Sequence, residues 1–126
     1  MQTTSDFTSL AEKVIARCRK LATFSEDPGG TRRTFLSAPV RDCHREIAGW
    51  LEPLGVQVHV DAVGNLWGFY SGASPGAPRI LMGSHLDTVP NAGAFDGILG
   101  VVLAAGLVES LEGLKLPFGI DRKSVV

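Results

Sequence analysis

Residues 83–97 read GSHLDTVPNAGAFDG, and this stretch is the most informative feature of the chain. It follows an apolar, strand-like run at 79–83 and precedes an apolar, helix-like run. His85 and Asp87 are two residues apart, so in extended backbone their side chains point the same way. Asp96 lies where the loop enters the helix. A strand, a glycine-punctuated loop and a helix that together carry an imidazole and two carboxylates predict a metal site at the carboxyl edge of a sheet.

The side chains of this loop suit a metal centre. A neutral nitrogen of His85 is a good zinc ligand, and the Asp87 carboxylate beside it can accept the other ring N–H. Near the positive end of a helix, Asp96 can bind one ion or bridge two. Gly93 and Gly97 allow a tight loop with close backbone approach. The spacing alone also allows His85 to be a hydrogen-bonded structural histidine, Asp96 a helix N-cap and Asp87 a turn former.

Over the whole chain, hydrophobic periodicity predicts the element order α-α-β-β-β-α-β. The predicted elements are a helix capped by Ser5 or Asp6, a helix from 39 or 40 to 54, strands at 56–60, 66–70 and 79–83, a helix at 96–111, and the opening of a strand at 116–120. The run at 79–83 is bounded by turn signals, so we expect it to be a buried central strand. The order favours an α/β fold, with a partial mixed sheet flanked by helices.

Composition narrows the class of protein. The 126 residues fit one domain, and the net charge of −1 leaves no electrostatic footprint for nucleic acid. The N-terminus lacks the regions of a signal peptide, and the longest uncharged apolar run, 97–108, is too short to span a bilayer. Cys18 and Cys43 have no CxxC spacing, so a reduced interior is expected. We therefore expect a soluble, cytoplasmic protein that binds neither nucleic acid nor membrane.

Several other features have plain structural interpretations. The basic groups at 17–20 and 32–33 are interpreted as solvated surface, although the second pair could also reach a substrate carboxylate. His44 and His59 are likewise assigned to the surface. Two more sets of residues are assigned to packing. The first is Trp50, on the core stripe of a helix, with Trp67 in the hairpin; the second is Gly97, Gly100 and Gly106, whose positions do not match a nucleotide-binding loop.

The segment 121–126 departs from the apolar pattern that 116–120 begins. A parallel strand buried on both faces should continue with Val, Ile or Ala, not with Asp-Arg-Lys. We therefore expect residues 1–120 to be the N-terminal portion of a catalytic domain and 121–126 to be a divergent tail, as a truncated or frameshifted product would have.

The string SHLDTVPNAGAFDGILGV at 84–101 strongly resembles the metal-binding segment of the allantoate amidohydrolase / N-carbamoyl-L-amino acid hydrolase family. These hydantoinase/carbamoylase-type amidases are zinc aminopeptidase-like metallohydrolases. Further likeness lies in GTR at 30–32, VDAVGNLWG at 60–68 and LPF at 116–118, so that the resemblance covers residues 7–120.

The resemblance implies that His85 binds one metal ion, that Asp96 bridges two, and that Asp87 is the catalytic acid that orients His85. The two divalent ions would be zinc or manganese, or cobalt. The family also has a Glu-Glu pair after the next strand, whose first member is the general base, and later histidines that complete the site. Glu109 and Glu112 cannot replace that pair, because they lie in or just past the helix, a dozen or more residues from Asp96.

The expected function is therefore that of a metal-dependent amidohydrolase of linear C–N bonds, of the allantoate or N-carbamoyl amino acid type. Its partner would be a small ureido or amide substrate, and the family is typically homodimeric through a domain that this sequence lacks. Since only His85 and Asp96 serve as ligands, we expect the isolated chain to have little or no activity. The alternative is a non-catalytic remnant or an interaction module.

Overall fold

The computed structural model describes residues 4–125, and their side chains over 6–121. The elements are α1 (Thr4–Ala22), α2 (Ala38–Leu51), a 3₁₀ turn (Glu52–Leu54), β1 (Gln57–Val60), β2 (Leu66–Tyr70), β3 (Arg79–His85), α3 (Ile98–Ser110) and β4 (Gly119–Val125). The predicted order and the α/β class are confirmed. Helix α1 already includes Ser5 and Asp6, so the prediction that one of them caps it from outside was wrong.

The four strands form one mixed sheet in the order β1-β2-β4-β3. Strand β4 runs antiparallel to β2 and parallel to β3, and therefore lies inside the sheet. Strand β3 lies at the edge of the sheet as described, with Ile80 47% and Leu81 63% exposed. The prediction that 79–83 is a buried central strand was wrong, because among the described strands β3 has a neighbour, β4, on one side only.

The backbone of the segment beginning at Asp121 continues β4 as far as residue 125. Asp121 pairs in register with Phe69 on one side and Leu81 on the other, and its carboxylate lies 3.2 Å from a guanidinium nitrogen of Arg79. This ion pair shows how a charged residue is accommodated in an inner strand. The interpretation of 121–126 as a divergent tail stays a prediction; residue 126 and the side chains of 122–125 lie outside what the structure describes.

The hydrophobic core lies where the helices meet the sheet. Its buried members are Val14, Cys18, Leu21, Cys43, Ile47, Leu51, Val56, Leu66, Tyr70, Leu86, Ile98, Val101, Val102, Ala105, Val108 and Ile120. Along α1, Val14 and Cys18 face the core, whereas Phe7 and Ile15 are exposed. Within the part of the chain described, no helix is long and apolar enough to cross a membrane.

Helices α1 and α3 pack closely at Gly106, where an added Cβ would lie 3.2 Å from Val14. Both Lys13 and Arg17 of α1 form ion pairs with Glu109 of α3. Burial raises the pKa of Glu109, but the hydrogen bonds and charges of these two cations outweigh it and hold that pKa below its usual range. Glu109 therefore serves the helix interface.

Two predictions of solvated surface fail in the helices. The side chain of Arg17 is only 13% exposed and its guanidinium lies 4.6 Å from the centre of the Trp50 ring. His44 is buried on the core side of α2, next to Cys43. His59, in contrast, is exposed on β1, as expected. The helical repeat turns both side chains toward the interior, although arginine and histidine are more often found at the surface.

Asp61 organises the turn between β1 and β2. One carboxylate oxygen accepts hydrogen bonds from the backbone N–H groups of Val63 and Asn65, at 3.0 and 2.9 Å. The other accepts from the Asn65 amide at 3.0 Å and from the Trp67 indole at 2.8 Å. The Trp67 and Asn65 side chains, followed by the backbone bonds, hold the pKa of Asp61 well below its usual range. The folded turn therefore stabilises the ionised form of the Asp61 carboxylate.

Replacing Asp61 with asparagine should lower the urea midpoint of unfolding at neutral pH. The amide nitrogen of the new side chain would face N–H donors where a carboxylate oxygen of Asp61 now accepts their hydrogen bonds. The pKa of Asp61 is lower in the folded chain than the unfolded value of about 3.9. The stabilisation by this group is therefore fully present above that value and is lost as pH falls through the folded pKa. Urea unfolding from pH 7 to 2 should show the two proteins converging at acid pH; parallel curves would contradict this role.

Candidate metal centre

The end of β3 and the start of α3 are joined directly. His85 is the last residue of β3, and the preceding Ser84 donates a hydrogen bond to the carbonyl of Gly97 at 2.8 Å. An added Cβ at Gly100 would lie 2.6 Å from the Ser84 hydroxyl oxygen, so the helix approaches the strand closely here. This contact confirms the packing interpretation of Gly100 and places the residue before α3 beside the imidazole.

The hydrogen bond of His85 selects its tautomer. Ring atom Nδ1 lies 2.8 Å from the backbone carbonyl oxygen of Asp87. Because a carbonyl oxygen only accepts, this contact selects, for the neutral ring, the tautomer with the hydrogen on Nδ1 and the lone pair on Nε2. Nε2 lies 3.8 Å from a carboxylate oxygen of Asp96. The imidazole thus presents its ligand nitrogen to the second predicted ligand.

Asp87 lies on the other side of the ring. Its carboxylate is 3.4 Å from Nδ1 of His85, farther than its own backbone carbonyl. The structure therefore brings together all three residues that the sequence singles out: His85, Asp87 and Asp96. Their side chains are 43%, 45% and 40% exposed, so solvent and small solutes reach them.

Asp96 is not the cap of α3. The N-cap position belongs to Gly97, and no side chain makes a capping hydrogen bond there. The backbone N–H of Ile98 instead bonds to the carbonyl of Asp96 at 2.7 Å, which closes a γ-turn with Gly97 at its centre (φ 67°, ψ −40°). The plain alternative of Asp96 as an N-cap is therefore wrong, and its carboxylate stays available to the site.

The γ-turn brings Gly97 against the histidine. An added Cβ at this position would lie 2.4 Å from ring atoms Cε1 and Nδ1 and from the backbone oxygen of His85. Gly93 also has a positive φ, of 74°, but an added Cβ there would meet nothing within 4 Å. Gly93 therefore serves the turn alone, whereas Gly97 is also needed for close approach, as its motif position predicted.

A segment that sequence reasoning did not assign to the site lies beside the loop. The backbone of Arg33 exchanges hydrogen bonds with Thr88: its N–H donates to the Thr88 hydroxyl at 3.0 Å and its carbonyl accepts from the Thr88 N–H at 2.9 Å. The N–H of Ala92 donates to Thr31 at 3.1 Å. The GTR element at 30–32 is the sequence feature that pointed to this segment, but its spacing did not indicate that the segment contacts the loop.

The two arginines of this segment differ. Arg32 pairs with Asp27 at 2.9 Å and remains partly exposed. Arg33 is completely buried, so its interpretation as solvated surface was wrong, and so was the option that it reaches a substrate carboxylate. The segment 31–34 is neither helix nor strand, and burial alternates along it, with Thr31 and Arg33 inside and Arg32 and Thr34 more exposed.

His85 and Asp96 fit a part of a metal site. One neutral imidazole nitrogen and one carboxylate oxygen face each other, and such a donor pair suits zinc or manganese. Among the described residues, no cluster of three or more histidine, cysteine or acidic side chains is arranged to hold an ion. The arrangement therefore brings two candidate ligands together, with Asp87 beside one of them.

The chain is similar to parts of longer known proteins. No family model matches the chain. Allantoate deiminase 1 of Glycine max is 39% identical over 103 residues, which are 82% of this chain and 21% of that protein. N-carbamoyl-L-amino acid amidohydrolase of Geobacillus stearothermophilus is 37% identical over 102 residues, 80% of this chain and 25% of that protein.

The same relationship appears in three dimensions. The crystal structure of a hydantoinase/carbamoylase family amidase from Burkholderia ambifaria superposes with a TM-score of 0.82 at 34% identity, over 90% of this chain and 29% of that one. The chain thus spans well under a third of the length of each of these three proteins. The fold of a mixed sheet flanked by helices is that of a part of these proteins.

Proposed function

The chain is homologous to a part of the allantoate deiminases, N-carbamoyl-L-amino acid amidohydrolases and hydantoinase/carbamoylase family amidases, and on that premise we propose that it carries part of the metal centre of such an amidohydrolase. The reaction would be hydrolysis of a linear C–N bond in a small ureido or amide compound. The observation that carries this proposal is the 3.8 Å separation of His85 Nε2 from a carboxylate oxygen of Asp96.

Each of the three residues has a separate role in this proposal. His85 Nε2 and the Asp96 carboxylate would hold divalent metal, and Asp96 has a second oxygen with which to bridge a pair of ions. Asp87 keeps the His85 tautomer through its backbone carbonyl, at 2.8 Å, and adds negative charge next to the same ring nitrogen. A bound zinc or manganese ion would polarise the scissile carbonyl and make water a better nucleophile at neutral pH.

We further propose that the 126 residues alone hydrolyse such substrates very slowly or not at all. Catalytic zinc sites use three protein ligands, and a positioned general base contributes about 10²–10⁴ in rate. Of the acids that follow Asp96, Glu109 is held by Lys13 and Arg17. A rate near that of a metal-dependent enzyme, measured as ammonia or carbamate release from allantoate or N-carbamoyl amino acids, would contradict this.

Metal titration tests the centre itself. Calorimetry of the metal-free chain with Zn²⁺, Mn²⁺ and Co²⁺ should show binding weaker than micromolar, because two ligands are present. His85→Ala and Asp96→Asn should each weaken it by roughly tenfold or more. His59→Ala is the matched control, since His59 is an exposed histidine on β1, and it should leave the affinity unchanged.

Two results would count against the proposal. Equal affinity in the wild type and in His85→Ala would show that this loop does not bind the metal, and would favour a non-catalytic interaction module. Stoichiometric binding at micromolar affinity or tighter would show that the site is more complete than two ligands.

A further inference from the structure

Arg33 is a fully buried cation next to the metal-binding loop. It is the largest of the side chains that are completely inaccessible among those described. Removing a guanidinium from water costs several kcal/mol, unless hydrogen bonds and a nearby negative charge compensate. The positions of those compensating groups therefore indicate what the burial accomplishes.

The guanidinium binds backbone carbonyls from two separate parts of the chain. Its Nε donates to the carbonyl of Leu86 at 2.8 Å. Its Nη1 donates to Leu21 at 3.0 Å and to Phe24 at 2.9 Å, at the carboxyl end of α1. Leu86 is the residue between His85 and Asp87. One side chain thus fastens the middle of the His-x-Asp loop to the end of a helix, where a cation is also favoured by the helix dipole.

The same loop contains a group whose charge favours the charged form of Arg33. Burial lowers the pKa of Arg33, and the charges of Cys43 and Asp87 oppose that shift. Burial raises the pKa of Cys43 to about 11, so that thiol is neutral near pH 7. Asp87 is therefore the group of this loop whose charge opposes the effect of burial on Arg33. The buried cation and the acid beside His85 stabilise each other through charge.

We propose that Arg33 is a positioning residue of the metal centre: it holds the Leu86 carbonyl, and with it the Asp87 carbonyl and carboxylate, in the place that keeps His85 in its metal-binding tautomer. This inference rests on the proposed function, because the Nδ1–H tautomer matters only if the nitrogen that it leaves free, Nε2, binds metal. The backbone hydrogen bonds between Arg33 and Thr88 hold the same loop from its other side.

The tautomer of His85 can be measured without metal, by long-range ¹H–¹⁵N NMR of the imidazole at pH 8, where an ordinary imidazole is neutral. The wild type should be predominantly the Nδ1–H form. Arg33→Met should lower the ratio of Nδ1–H to Nε2–H by about tenfold, the size of one hydrogen bond. Arg33→Lys keeps the charge but not the planar fork, and should lower the ratio by roughly threefold.

Arg32→Met is the matched control, since Arg32 is the neighbouring arginine but pairs with Asp27 away from the loop. It should keep the wild-type ratio. A folded Arg33→Met protein with the wild-type ratio would overturn the inference, as would an equal change in Arg32→Met. If Arg33→Met does not fold, Arg33→Lys decides: a folded protein with the wild-type ratio overturns the inference and a lowered ratio supports it.

Failure of the proposed function would look different. Adding Zn²⁺ to the wild type should shift the His85 ring resonances, and their lack of response would overturn the metal centre. The tautomer ratios are recorded without metal, so they report on Arg33 in either case.

Discussion

Replacing Gly97 with alanine is expected to destabilise the protein by about 2–6 kcal/mol and to remove the metal binding that we propose for His85 and Asp96. Two costs add at this position. An alanine at φ 67° and ψ −40° has a strained backbone, and its Cβ would lie 2.4 Å from the His85 ring and from its backbone oxygen. Because the neighbouring atoms belong to a ring and to backbone, the contact can be relieved only by moving His85 or the start of α3.

Gly93→Ala is the matched control for this substitution. Gly93 also has a positive φ, 74°, and lies in the same loop, but an added Cβ there would meet nothing within 4 Å. It should therefore cost only the backbone term, about 1–2 kcal/mol, and leave the His85 NMR signals as in the wild type. Chemical denaturation and the Co²⁺ titration check both variants. Equal losses of stability with intact binding in both would contradict the close contact between Gly97 and His85.

Truncating Leu86 to alanine is expected to cost about 2–5 kcal/mol of unfolding free energy. Leu86 is completely buried in the core between two exposed loop residues, His85 and Asp87. The cavity would lie under the loop, beneath the carbonyl that Arg33 binds. We expect the site to loosen together with the core, so that metal affinity and stability fall in the same variant.

Val89→Ala serves as its control, because Val89 is 63% exposed three residues further along the same loop. Its loss should stay within about 0.5 kcal/mol. Urea unfolding monitored by tryptophan fluorescence measures both variants. A change of less than 1 kcal/mol in Leu86→Ala would show that the loop is not anchored through this side chain.

Local pattern predicted the elements well where neighbours in sequence are neighbours in space. The run at 66–70 became β2, and the helical stretch that was predicted to end at 54 does close with Leu54, before Gly55 with its φ of 82°. His85, Asp87 and Asp96 also lie within one short loop, so the sequence could bring them together without knowledge of the sheet. The prediction of the site therefore needed only the loop and the helix start.

Errors arose where position depends on distant segments. Strand β3 reads as a central strand because its residues are apolar, yet its place at the edge depends on where β4 inserts. Arg33 reads as surface because arginine is usually solvated, yet three carbonyls from two segments receive it. His44 is buried for a similar reason, since the side of α2 that faces the core is set by packing.

Periodicity, turn glycines and short spacing were enough to predict the main elements, the α/β class and the three residues of the candidate centre. The strand order, the burial of Arg33 and the contact of the His85 ring with the Asp87 carbonyl depend instead on tertiary packing. Arg33 and Leu86 are 53 residues apart, and their hydrogen bond exists only once α1, β3 and the loop have packed together. Such contacts are selected by the free energy of the whole fold, and a local pattern carries no information about them.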